Sequence, residues 1–173
     1  MSDVKEGGKK YVMLKLSLLV AIAPLCWGVV YKPESPEKVP YPEGYRRWTH
    51  VRSGLTGPES PDYQATGGLH HIYANGKAME GYEGGRFPDG SIIVYDLLKV
   101  QTKDGVTAEG ERRYVTVMHK DSRRFADTGG WGFEVFRGDS HSDRAIWPNA
   151  KTKCYDCHIN RKDQDYVFGS FRK

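Results

Sequence analysis

Five residues late in the sequence, Cys154, Tyr155, Asp156, Cys157 and His158, carry its clearest chemistry. The spacing is C-x-x-C-H, the arrangement through which haem c is attached. It places both thiols on one side of a single turn, where each can add to a haem vinyl group as a thioether. His158, directly after them, is then held under the iron, where a neutral imidazole is a good axial ligand. Two other chemistries use the same pair of thiols: a C-x-x-C redox couple, and half of a tetrahedral zinc site. A zinc ribbon needs a second pair of ligands, and the sequence has none to match. A redox pair usually sits early in a βαβ unit. The motif therefore reads as covalent haem attachment through Cys154 and Cys157, with His158 as proximal ligand and iron as the metal.

The opposite end supplies independent support. Lys5, Lys9, Lys10 and Lys15 precede an apolar run from Leu16 to Val30, and charge resumes at Lys32. That is the layout of a secretory leader or an N-terminal membrane anchor over residues 1–31. The run falls short of the ~20 residues a spanning helix prefers, and Pro24 and Trp27 make it an imperfect helix. Ala21-Ile22-Ala23 resembles a cleavage site, but Pro24 is a poor neighbour for cleavage. A cleaved leader and a retained anchor, touching the membrane through residues 10–31, both stay open. Export to the periplasm fits the motif, because haem c is attached outside the cytoplasmic membrane.

Composition sets further bounds. The 173 residues suffice for one domain with a sizeable core. Residues 32–44 are Pro-rich and polar and read as a linker, which leaves 45–173 as the domain. Of the three cysteines, Cys26 lies in the leader, so no disulfide remains if the other two hold haem. The formal net charge is +4. The leader's four Lys, set against Asp3 and Glu6, leave about +2 for the rest, which two haem propionates would cancel. There is no basic block, which argues against a nucleic-acid partner.

The elements that must position the motif are mostly strands. Tyr45 to Val51 reads as a helical turn running into a strand, and 52–67, rich in Gly, Pro and Ser, as loop. Leu69–Ala74 is a strand candidate, Lys77–Tyr82 a short helix, and Phe87-Pro88-Asp89-Gly90 a turn. Ser91–Leu98, Arg113–His119 and Gly130–Phe136 have the β-branched and aromatic content of strands. Thr102–Gly110 reads as a polar hairpin connection, and Asp165–Phe171 as a segment that packs back on the domain. Together these predict an α+β domain, a mainly antiparallel sheet with short helices packed around one covalently bound haem c.

In their order along the chain, several stretches resemble cytochrome P-460 and its sister family, the β-type cytochrome c′. They are Tyr45-Arg46-Arg47-Trp48; Phe87-Pro88-Asp89-Gly90 leading into Ile92; Lys120-Asp121-Ser122-Arg123-Arg124-Phe125; Gly130-Trp131-Gly132-Phe133; and Cys154 to His158 followed by Asp165, Val167 and Phe168. The resemblance implies a periplasmic dimer with one haem, five-coordinate through His158 and open on the distal side. Cytochrome P-460 oxidises hydroxylamine, with a lysine joined to its haem in a V-K-E setting and a glutamate over the iron. Here the first setting reads Val94-Tyr95-Asp96, so Tyr95 replaces the lysine, with Lys77 and Lys99 out of register, and the glutamate position aligns with Thr116. Both departures move the expected activity from hydroxylamine oxidation towards the unlinked, gas-binding haem of the β-type cytochromes c′.

Strand periodicity provides a separate reading of the distal side. Tyr114, Thr116 and Met118 share one face of their strand, and Ile93, Tyr95 and Leu97 one face of theirs. A pocket of Ile93, Tyr95, Thr116 and Met118, walled by Trp131 or Phe133, would be mostly apolar and would favour neutral diatomics such as NO. Core packing is the other reading of each residue, the better one for Trp131 and Phe133 and an equal one for Tyr95 and Thr116. Met118 or His119 as a sixth ligand would instead close the site and make an electron carrier for an unnamed redox partner. His70 and His71 point to opposite faces, and one of them could reach the iron. His50 and His141 carry no signal, and Glu109 and Glu111, in or near a turn, read as solvated, with a carboxylate reaching the haem edge as the alternative.

Overall fold

The computed structural model describes residues 38–146 and 148–172. The expected leader at 1–31, Cys26, and residues 32–37 of the Pro-rich segment lie outside the described residues. The chain divides after Lys32, and everything below concerns the second unit.

Five antiparallel strands form one sheet in sequence order: β1 (Thr49–Thr56), β2 (Gly68–Ala74), β3 (Ile92–Lys103), β4 (Val106–Lys120) and β5 (Trp131–Arg137). Short helices α1 (Tyr63–Thr66) and α2 (Gly76–Gly84) flank β2. The α+β expectation therefore holds. Asn75 starts α2 by accepting the Ala78 amide at 2.9 Å, and ties it to β3 by also accepting the Ile92 amide at 3.0 Å.

Two expectations about loops are corrected. Residues 52–56 are not loop but the second half of β1, with Leu55 opposite Leu69 and Thr56 opposite Gly68. β1 is an edge strand whose backbone pairs only with β2, so polar and small residues suffice to form it. The connection expected over 102–110 contracts to Asp104-Gly105, whose φ angles of 51° and 79° make a two-residue turn. Both positions take the left-handed conformation that such hairpin turns need, so β3 and β4 keep pairing to Lys103 and Val106.

Register aligns the two faces. Ala74, Ile93, Met118 and Phe133 stand opposite one another across β2 to β5. Their face packs against Ala78, Trp131, Tyr166 and Val167. The other face buries Val94, Val115, Val117 and Phe136 under Val39, Tyr45 and Phe125. Val39 is 1% exposed, so the expected linker gives way to the domain well before residue 44.

The C-x-x-C-H motif lies in a continuous helical run. A π turn (Lys151–Tyr155) leads into α3 (Asp156–His158) and a 3₁₀ segment (Ile159–Gln164). The run stops at Asp165 and Tyr166, whose φ angles are 49° and 66°.

Candidate functional site

His158 ends α3 with its ring between two aromatics, 5.0 Å from Phe133 and 4.9 Å from Phe168, centroid to centroid. Its Nδ1 is 2.7 Å from the Tyr166 carbonyl oxygen. A carbonyl only accepts, so Nδ1 carries the proton and Nε2 is bare. Burial pushes the His158 pKa down, opposed by the bond to Tyr166, so the ring is neutral near pH 7. A neutral imidazole with a fixed Nδ1–H tautomer is the form that coordinates a metal. Cys154 packs against the core, where burial pushes its thiol up to about 11, while Cys157 is exposed; neither is in a disulfide. Among the described residues no group of three or more His, Cys, Asp or Glu side chains is placed to hold a metal ion.

His158 stands in the wall of a cavity of about 400 Å³, within the range of small-molecule and cofactor pockets. The sheet forms the opposite wall through Ile93, Tyr95, Thr116 and Met118, which alternation and register bring to one face. Trp131 and Phe133, expected as walls, are not among the lining residues. Trp131 is fully buried with its Nε1–H donating to the Asp165 carbonyl at 2.8 Å, and Phe133 lies against His158. β5 is the strand covered by the C-terminal segment, so its inward side chains are consumed in packing.

The structure also sorts the histidines. His70 lines the cavity, stacked on Tyr95 at 4.6 Å. His71 faces the other side, with the Glu109 carboxylate 2.7 Å from Nε2, and His119 is not among the lining residues. Glu109 is not merely solvated: it takes two hydrogen bonds from Arg46, which hold its carboxyl below the usual range. Lys77 and Lys99 pair with Glu80 and Glu111 away from the cavity. Burial pushes the Tyr95 phenol up to about 12, so it is un-ionised near neutral pH.

Sequence reasoning missed Arg52, Ala65, Thr66 and Tyr82 in this wall. Arg52 sat in a stretch read as loop, and its alternation with Gly54 along an edge strand was the available signal. It also missed the roles of Val167 and Phe168, which line the cavity next to His158.

Comparison with known families decides the larger question. The family model described as cytochrome P460 matches residues 42–169, most of the chain. The chain belongs to the cytochrome P460 family. Membership makes it a haem-binding cytochrome and implies haem iron as its cofactor. A comparison with curated proteins found no match. The residues fit what the cytochrome P460 family implies: a mostly apolar cavity, the neutral His158 imidazole in its wall with a bare Nε2, and two thiols shortly before it in the chain to hold the group.

Proposed function

We propose that this is an exported, periplasmic, monohaem c-type cytochrome that binds nitric oxide or a similar small ligand. Its haem is tied by thioethers to Cys154 and Cys157, ligated by His158, and five-coordinate, with the sheet side open. The observation that carries the reading is the cavity wall: among the described residues that line it there is neither a lysine nor a carboxylate. Haem iron supplies the axial position at which the small ligand is held. The chain's own part is to present a neutral imidazole on one side and to exclude ions and water on the other with Ile93, Leu97 and Met118. Tyr95 and Thr116 can donate hydrogen bonds, but neither removes a proton near neutral pH. That weighs against hydroxylamine oxidation, the family's other chemistry.

A six-coordinate electron carrier is the second reading, favoured by Met118 lying in the same cavity as His158. Optical spectra of the purified holoprotein separate the two. The proposal expects a broad high-spin spectrum that changes when NO is added. Sharp low-spin bands indifferent to NO would reject it in favour of the carrier. Around this centre the reading places a leader at 1–31, cleaved or kept as an anchor, a homodimer, and a redox partner that is itself a protein.

His70 adds a polar group to a wall that also carries Arg52, Tyr95 and Thr116. Its Nδ1 is shielded from solvent and has no hydrogen-bond partner among the described residues. Burial, with Arg52 and His71 adding to it, pushes its pKa down, so the ring is neutral. It lies over Gly54, where an added Cβ would come within 2.6 Å of the imidazole, so glycine there leaves the ring its slot. In the reading above, His70 hydrogen-bonds an iron-held ligand. His70→Phe should then weaken azide binding to the ferric protein about five- to tenfold, as expected for one hydrogen bond of ~1 kcal/mol. Carbon monoxide binding to the ferrous protein should change far less. Equal azide affinity in both proteins would remove His70 from the ligand side.

A further inference from the structure

We propose that Lys120 and Asp165 are positioning residues for His158: their buried ion pair holds the strained turn that aims the Tyr166 carbonyl at Nδ1, and so sets how strongly His158 donates to iron. The proposal rests on His158 being the haem ligand. Lys120, at the end of β4, is 8% exposed. Its ammonium donates to Asp165 Oδ1 at 2.7 Å and to the Gly129 carbonyl at 3.0 Å. Asp165 and Tyr166 follow each other in the left-handed region, which two consecutive non-glycine residues rarely occupy unless their surroundings impose it.

The surroundings do impose it. The Phe87 amide donates to Asp165 Oδ2 at 2.8 Å, and the Trp131 indole donates to the Asp165 carbonyl at 2.8 Å. The Tyr166 amide donates to the Arg161 carbonyl at 2.7 Å. Every polar atom of Asp165 other than its amide is thus bonded to a residue outside the helical run. The product of these bonds is one carbonyl, that of Tyr166, placed 2.7 Å from His158 Nδ1. A carbonyl partner fixes the tautomer and orientation of a ligating imidazole and raises its basicity. The sheet therefore orients the imidazole through the residues after it, rather than through the short helix that carries it. A buried ion pair is weak grounds for stability by itself, so its geometric consequence is the more informative property.

The test uses the holoprotein with Lys120→Met and Asp165→Asn together, which keeps the volume and strands no lone buried charge. The iron–imidazole stretching band of the ferrous protein should move to lower frequency, and the reduction potential should rise, with haem still bound. Trp131→Phe, which deletes one restraint on the turn, should move both in the same direction by less. Lower thermal stability with the band and potential unchanged would make the pair merely structural and overturn the proposal. If His158→Ala leaves the wild-type haem spectrum unaltered, the ligand assignment itself fails and the proposal falls with it, a result distinct from the first.

Discussion

Changing Cys154 and Cys157 together to Ala is expected to abolish covalent retention of haem. In the wild type, haem should stay with the polypeptide through denaturation and acid–organic extraction, because a thioether does not exchange with solvent as an iron–ligand bond does. In the double variant all of it should move to the organic phase. Each single variant should keep one thioether or fail to mature. The two positions also differ in a way the motif alone does not suggest. Cys154 packs against the core while Cys157 is exposed. In the apoprotein, where no thioether contributes, Cys154→Ala should therefore cost about 1 kcal/mol of fold stability from lost burial, and Cys157→Ala close to nothing. Free extraction of haem from the wild-type protein would refute the attachment outright.

Steady-state assays with hydroxylamine and an artificial electron acceptor are expected to show turnover no faster than background. By the resemblance of Val94-Tyr95-Asp96 to the lysine setting of cytochrome P-460, Tyr95 replaces the cross-linking lysine, and its phenol, pushed up to about 12 by burial, stays neutral and weakly nucleophilic. Thr116 stands beside it across the β3–β4 ladder, and a hydroxyl holds its proton near pH 7. The paired change Tyr95→Lys, Thr116→Glu should reverse both defects. Burial in the same wall would lower a lysine's pKa and raise a glutamate's, giving a nucleophilic free amine and a base poised nearer neutrality. A positioned general base is worth roughly 10²–10⁴-fold, so turnover should climb at least ~100-fold. Intact mass of tryptic peptides should then show a peptide containing residue 95 joined through haem to the Cys154–His158 peptide. Rapid hydroxylamine oxidation by the unmodified protein, or a Tyr95 peptide already joined to haem, would contradict this account.

What the sequence determined by itself was local and periodic. The C-x-x-C-H spacing is readable because its five residues are adjacent. Ile93 with Tyr95, and Thr116 with Met118, could be put on shared faces because a strand alternates with a period of two. The β-rich class followed from β-branched runs between turn residues. Tertiary structure decided what depends on distant partners. Alternation separates His70 from His71, but the sheet's packing under the C-terminal segment puts His70 in the cavity and His71 beside Glu109. It also took Trp131 and Phe133 out of the expected wall, because β5 is the strand that this segment covers. β1 gained its second half from pairing with β2 rather than from its own composition. Lys120 and Asp165 stand forty-five residues apart and meet only when the chain folds back. Period and spacing act through bonds and neighbours within a few residues, whereas a cavity wall is chosen by register and closure, which no short stretch contains.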